Sequence, residues 1–294
     1  MKKLMIAAAA SIAAVGAFAA VESANVVGYT SQPYVGGKWL IGATPFQDTT
    51  GASFSLNDLV TGFVTTDAKV DTLANMMVNN PYIQIQNRNA GGALTSGTKD
   101  WFFCSDAFLD EDGLVTGPAW ADEDGCAAGG PYNPNVKIAP GTAYWFKDPT
   151  ATSMTLTLAG QVLGSDTTPI ATTANKWNLI CNPYPTSIDL NAAGITWEGI
   201  TQGTVDTLAN MMANNAYIQI QNRNAGGTLT SGTKDWFFCA DAFLDEDGLV
   251  TGPAWADEDG CAAGGPYNPN VKIPAGAGFW FKDPSAAVTI TWPL

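Results

Sequence analysis

The sequence predicts an all-β protein: two tandem antiparallel β-sandwich domains with short helical turns. Three observations predict it. Residues 70–149 recur as residues 205–284 at a constant offset of 135, with nine differences over 80 positions, the mark of a tandem duplication. Apolar and polar residues alternate in short runs, the period of a strand with one buried face. Gly, Pro and Asn recur between those runs, so short strands joined by turns fill the chain rather than long helices.

In chain order, residues 1–19 read as a secretory signal peptide. Lys2-Lys3 give a basic start, Leu4 to Phe18 are apolar or small, and Ala17-Phe18-Ala19 fits the small-x-small cleavage rule. A membrane span needs roughly 18 or more apolar residues, whereas this stretch is shorter and runs into Val21-Glu22-Ser23. No cysteine follows the cleavage site to carry a lipid and no apolar tail follows Trp292, so a mature chain without a transmembrane segment is expected, exported to the periplasm, the cell surface or beyond.

Residues 20–160 form the first repeat and residues 161–294 the second. The parallel extends upstream of the near-identical block: Lys38 to Pro45 matches Lys176 to Pro183 at an offset of 138, and Asn25-Val26-Val27-Gly28 resembles Gln161-Val162-Leu163-Gly164. Each repeat should therefore open on a short apolar strand ending in glycine. Ser165-Asp166-Thr167-Thr168-Pro169 has the composition of a junction. Met154 to Leu158 and Val288 to Trp292 alternate apolar residues with threonines, and Tyr82 to Gln86 should point Ile83 and Ile85 inward. Val136-Lys137-Ile138 and Ala143 to Phe146, joined through Pro140-Gly141, read as a hairpin. Ser55 to Val60 and Asp71 to Met77 are the two helical stretches.

Several of these runs carry a resemblance. Trp177-Asn178-Leu179-Ile180 followed by Asn182-Pro183, the run Pro140-Gly141-Thr142-Ala143-Tyr144-Trp145-Phe146, the strand ending Ala159-Gly160-Gln161-Val162 and the start Asn25 to Tyr29 resemble a widespread group of exported bacterial β-domains of uncharacterised function. The similarity spans nearly all of the mature chain. It implies an extracellular or envelope-associated β-module and no particular chemistry. The second repeat departs from the pattern at Pro274-Ala275-Gly276, and the acidic cysteine loop is not a feature of the group.

Charge and cysteine usage agree with export. Removing residues 1–19 takes away Lys2 and Lys3, so the formal charge moves from −14 to −16. That argues against nucleic acid as a partner, because phosphates require Lys and Arg, and favours cations or basic partners. Cys104 and Cys126 recur as Cys239 and Cys261, while Cys181 stands where the first repeat has Ala43. The economical pairing outside the cytoplasm is Cys104 with Cys126 and Cys239 with Cys261, leaving Cys181 free and buried.

The chain has no histidine, which removes Ser-His-Asp and Cys-His catalysis and histidine zinc sites. No phosphate-binding Gly-rich loop occurs. Carboxylates are concentrated between the paired cysteines: Asp106, Asp110, Glu111, Asp112, Asp122, Glu123 and Asp124, then Asp241, Asp245, Glu246, Asp247, Asp257, Glu258 and Asp259. A glycosidase would need two acids at a set separation, one with a raised pKa, and a crowd of acids in one loop fits a cation site or a solvated surface better. Asp at i and i+2 before glycine, in Asp110 to Gly113 and Asp122 to Gly125, is a spacing that recurs in calcium loops. An EF-hand register puts Phe108 and Ala119 at ligand positions and fails, so the candidate Ca²⁺ ligands form an irregular site. They are Asp106, Asp110, Asp112, Asp122 and Asp124, with Asp241, Asp245, Asp247, Asp257 and Asp259. The competing reading is an acidic loop that keeps the protein soluble.

Aromatic residues supply the second candidate. Trp120 lies between the acidic turns, and with Asp122 and Tyr132 it could offer a sugar-stacking platform; Trp255 and Tyr267 are the copies. The alternative folds Trp120 back onto the core, where Trp39, Trp101, Trp145, Trp177, Trp236 and Trp280 are also expected. The function expected is therefore non-catalytic: a structural, adhesive or glycan-binding module whose partners are polysaccharide or envelope proteins. A carbohydrate-active enzyme using loop carboxylates and a surface-layer or matrix subunit are the alternatives.

Overall fold

The computed structural model describes residues 27–47, 54–58, 72–89, 92–104, 118–126, 137–149, 153–164, 167–191, 194–203, 207–240, 253–261 and 271–293. Strands dominate. The first repeat contributes β1 (Val27–Val35), β2 (Leu40–Ala43), β3 (Phe54–Ser55), α1 (Leu73–Asn79), β4 (Tyr82–Arg88), β5 (Leu94–Cys104), β6 (Ala119–Ala121), α2 (Glu123–Cys126), β7 (Lys137–Ile138), β8 (Ala143–Lys147) and β9 (Ser153–Gln161). The second contributes β10 (Thr167–Ala171), β11 (Asn178–Cys181), β12 (Ile188–Asp189), β13 (Thr196–Glu198), α3 (Leu208–Asn214), β14 (Tyr217–Arg223), β15 (Leu229–Cys239), β16 (Ala254–Ala256), α4 (Glu258–Cys261), β17 (Lys272–Ile273), β18 (Gly278–Lys282) and β19 (Thr289–Pro293).

Each repeat builds one five-stranded antiparallel sheet, in the order β2-β8-β4-β5-β6 and its counterpart β11-β18-β14-β15-β16. Beside these lie β1 paired along its full length with β9, the three-stranded β10-β19-β13, and the short pairs β3-β7 and β12-β17. The alternating runs behave as strands with one buried face. Leu156 and Leu158 of β9 are buried, as are Val288, Ile290 and Trp292 at the end of the chain, with threonines between them.

The five-stranded sheets bury both faces. On one face Ile83 and Trp101 join Tyr34, Leu40, Phe146, Leu156 and Leu158 in a single core cluster, with Ile85 packed against it. On the other, Tyr82, Phe102 and Cys104 pack with Met76 of α1 and with Cys126. This is why α1 forms where it does. Thr72 caps it, accepting from the Asn75 N–H at 3.3 Å, and Met76 is its buried residue; Thr207, Asn210 and Met211 repeat the arrangement in α3.

Three local expectations change. Lys137-Ile138 does not form a hairpin with β8: β7 pairs with β3, and β8 pairs with β2 and β4. The Pro140-Gly141 turn, with Gly141 at φ 82°, carries the chain from one sheet to another because Ile138 and Phe146 are buried in one core from different sheets. The run expected as a junction leads into β10, which begins at Thr167 and in which Pro169 sits opposite Thr291 on an edge strand, where a missing N–H is tolerated. The opening strand of the first repeat continues to Val35 rather than stopping at Gly28.

Contacts between the repeats are reciprocal. Gly42 bridges to Ala277 and Thr142 bridges to Ile180, which are equivalent pairs with the repeats exchanged. Ile41, Ala43, Ala143, Leu179 and Cys181 form the apolar cluster at this seam, with Trp145 and Trp280 packed against it. A patch from one repeat thus meets the same patch from the other, the isologous arrangement of a two-fold dimer, here within one chain.

Candidate functional site

The disulfides are Cys104–Cys126 and Cys239–Cys261, each with Cα atoms 5.8 Å apart. They tie β5 to α2 and β15 to α4, and Cys181 is free and buried. Asp122 sits at this corner with both carboxylate oxygens engaged. Oδ1 accepts from the Gly125 N–H at 3.1 Å, and Oδ2 accepts from Lys99 Nζ at 3.2 Å. Lys234 and Asp257 repeat the ion pair at 3.1 Å. Lys99 and Lys234 also lie over the Trp101 and Trp236 rings, at 5.3 and 4.6 Å. The lysines come from outside the cysteine loops, which is why the loop sequence alone does not reveal them.

Asp124 and Asp259 belong to the short helices α2 and α4. Beside α4 lies a cleft of about 360 Å³ lined by Asp235, Asp257, Glu258 and Asp259 with Lys234. Among the described residues no group of three acids, cysteines or histidines is placed to hold a metal ion. Asp106, Asp110, Asp112, Asp241, Asp245 and Asp247 lie outside the described residues, as do Tyr132, Tyr267 and residues 1–19, the segment expected to be a signal peptide.

Trp120 and Trp255 do not form the sugar platforms that the sequence offers. Both are fully buried, so neither presents a ring face to a ligand. Trp120 packs 5.4 Å from Phe103, and Trp255 lies 4.9 Å from Trp197 and 5.4 Å from Phe238. Their strands are clamped by asparagine side chains that the sequence reading missed. Asn57 Oδ1 accepts from the Trp120 N–H at 2.8 Å, and Asn191 Oδ1 accepts from the Trp255 N–H at 2.8 Å. Asn191 Nδ2 also donates to the Trp255 carbonyl at 2.8 Å.

Four of the tryptophans expected in the core reach the surface instead. Trp39, Trp145, Trp177 and Trp280 are half-buried, whereas Trp101 and Trp236 are buried. The four form a row across the seam: Trp39 to Trp145 at 5.5 Å, Trp145 to Trp280 at 5.9 Å, and Trp280 to Trp177 at 6.0 Å. Tyr82 and Tyr217 close its ends, edge-on to Trp39 and Trp177 at 5.2 and 4.9 Å. Burial, and secondarily the nearby Asp100 and Asp235, push both phenols above their ordinary pKa. Lys147 and Lys282 stand over Trp39 and Trp177, at 5.5 and 5.9 Å.

A cleft of about 480 Å³ opens at the Trp177 end, walled by Leu94, Thr95, Ser96 and Thr98 of β5, Gln86 of β4, and Lys176 with Trp177 from the second repeat. Gln86 holds the two walls together through its amide. Nε2 donates to the Trp177 carbonyl at 2.7 Å, and Oε1 accepts from the Leu179 N–H at 2.7 Å. Thr173 Oγ1 accepts from the Leu94 N–H at 2.9 Å and fixes the hairpin against the second repeat. Gln221 makes the matching bonds to the Trp39 carbonyl and the Ile41 N–H, at 2.9 and 2.7 Å.

Among the described residues no helix is long and apolar enough to cross a membrane. No protein family, curated protein or solved structure matches the chain.

Proposed function

We propose that the mature chain is an exported, non-catalytic protein of two tandem β-sandwich repeats that acts as a structural or adhesive module at the cell envelope or outside the cell. Polysaccharide or envelope proteins are its partners, and Ca²⁺ is the candidate ion of its acidic loops. The observation that carries this reading is the reciprocal seam, with one disulfide in each repeat. A braced body that presents each of its surfaces twice suits multivalent attachment, because a second contact by the same molecule is effectively intramolecular. Disulfides in both repeats fit an oxidising compartment.

The test is to express the full chain in a secreting bacterial host and fractionate the cells. The expected product begins after residue 19, carries two disulfides, lies outside the cytoplasm, and cosediments with isolated envelopes. Retention in the cytoplasm with residues 1–19 attached, or failure of the exported protein to cosediment, would overturn the proposal.

A further inference from the structure

We propose that the seam clefts bind a neutral hexose polysaccharide, with Trp177 and its counterpart Trp39 as the stacking surfaces. This rests on the adhesive reading above and names the ligand class.

The cleft beside Trp177, about 480 Å³, lies within the range of small-molecule sites. Its lining matches the two-sided chemistry of a pyranose. A half-buried indole meets the apolar C–H face of the ring, and an indole keeps a polar N–H at its edge. The hydroxyls of Thr95, Ser96 and Thr98, each of which both donates and accepts, face the sugar hydroxyls; all three residues are exposed. Lys176 is the one charged residue in the lining, and Lys282 stands over the Trp177 ring at 5.9 Å. A polyanion would want more cations than these two and would also be repelled by a mature chain of formal charge −16, so the neutral class is the one that fits.

The walls are set before any ligand arrives. Gln86 is bonded at both ends of its amide, Leu94 is tied to Thr173, and Trp177 is held by Tyr217 at 4.9 Å and Trp280 at 6.0 Å. Fixed walls reduce the ordering cost of binding. The equivalent residues of the second repeat are Gln221, Thr230, Ser231 and Thr233; Gln221 is bonded to the Trp39 carbonyl as Gln86 is to that of Trp177, and from this equivalence the counterpart site at Trp39 is inferred. Two like clefts on one chain would give avidity for a repeating polymer that neither has for a single sugar.

The experiment is calorimetric titration of the oxidised mature chain with four neutral hexasaccharides: cellohexaose, laminarihexaose, maltohexaose and mannohexaose. At least one is expected to bind two per chain. Thr98 lines the Trp177 cleft, and Thr98 and Thr233 are exposed and stand opposite Gln86 and Gln221 in the strand register, so Thr98→Arg is chosen to obstruct that cleft and Thr233→Arg its inferred counterpart. The double variant is expected to keep the parent's unfolding midpoint and to bind more than about tenfold more weakly. Each single variant should halve the stoichiometry. In the unmodified protein, saturating hexasaccharide should reduce acrylamide quenching of tryptophan emission. The proposal is overturned if none of the four binds, if quenching is unchanged, or if the folded double variant binds as the parent does. In the last case cosedimentation with envelopes would still support the adhesive reading, whereas sugar binding without cosedimentation would sink that reading alone.

Discussion

Gln86 and Gln221 each reach into the other's repeat and make the same two hydrogen bonds there. Gln86 Oε1 and Nε2 bond the Leu179 N–H and the Trp177 carbonyl, and Gln221 Oε1 and Nε2 bond the Ile41 N–H and the Trp39 carbonyl, at 2.7 to 2.9 Å. The strands they bond, β11 and β2, are the edges of their five-stranded sheets. Each side-chain amide therefore stands where a neighbouring strand would put its own peptide, and it covers an edge that would otherwise invite pairing with another chain.

Replacing either glutamine by alanine removes two bonds and leaves a strand N–H and carbonyl without their partners. Gln86→Ala and Gln221→Ala should each destabilise by about 1–3 kcal/mol, the range for lost hydrogen bonds that orphan buried groups. Gln86→Glu keeps the acceptor but loses the Nε2 donor, so it should also destabilise. Urea unfolding of the oxidised protein checks all three, and midpoints equal to the parent's would remove the glutamines from the seam's energetics.

Cys181 reports whether the seam is closed. Its thiol lies in the seam cluster with Ile41, Ala43 and Leu179, and burial pushes its pKa up from 9.0 to about 12, against hydrogen bonds from Thr44 and Gly141 that lower it. In the native state iodoacetamide should leave it unlabelled at pH 8. Gln86→Ala with Gln221→Ala should speed labelling below the denaturant concentration at which the chain unfolds. The pH dependence follows from the same burial. Below pH 9 both states keep the proton; between 9 and about 12 the unfolded chain loses it first, so stability falls as pH rises. Cys181→Ala should flatten that part of the stability curve, although the raised pKa of the buried Tyr34, also to about 12, will leave some decline.

The duplication, the disulfide pairing and the alternating strands were legible because each is a pattern in one dimension. Period-two alternation places Leu156 and Leu158 without knowledge of a partner strand. What was not legible depends on partners distant in sequence. The stacking role read for Trp120 fails because Phe103 and Asn57 hold it in the core, and its small-residue flanks say nothing of them. Trp145 and Trp280 sit in strands, and Trp39 and Trp177 directly before strands, with the same local pattern as the core, and only the meeting of the repeats brings Trp145 to Trp280. Even the expected β7–β8 hairpin had sound turn chemistry; β3 and β2 outcompeted it as partners.

The disulfides brace these corners. Replacing both cysteines of one pair, as Cys104→Ala with Cys126→Ala, leaves no odd thiol. With a sequence separation of 22, the chain-entropy argument gives a loss of about 3 kcal/mol. The equivalent change at Cys239 and Cys261 should cost a similar amount. Unfolding midpoints of the two variants, measured without reductant, check both values.

Asp122 separates a structural carboxylate from a metal ligand. Its oxygens are already taken by the Gly125 N–H and Lys99, so Asp122→Ala removes both a capping bond and an ion pair. A loss of about 1 kcal/mol is expected, and it should be as large in EDTA as in Ca²⁺. A destabilisation that appears only when Ca²⁺ is present would instead make Asp122 a ligand.

Asn175 occupies the position at which the first repeat has Gly37, and the two solve one backbone problem differently. Both take positive φ, 51° and 71°, and both donate their N–H across to an aspartate carbonyl, Asp283 at 2.7 Å and Asp148 at 2.9 Å. Asparagine and glycine adopt this conformation more readily than other residues, and a β-branched side chain opposes it strongly. A Cβ added at Gly37 would meet nothing within 4 Å, so the constraint there is the backbone and not space. Gly37→Asn should therefore be nearly neutral, as should Asn175→Gly. Asn175→Val and Gly37→Val should each cost about 1–2 kcal/mol through the left-handed turn alone. Thermal unfolding of the four variants tests the pairing, and a valine tolerated at either position would mean that the turn is not held in this conformation.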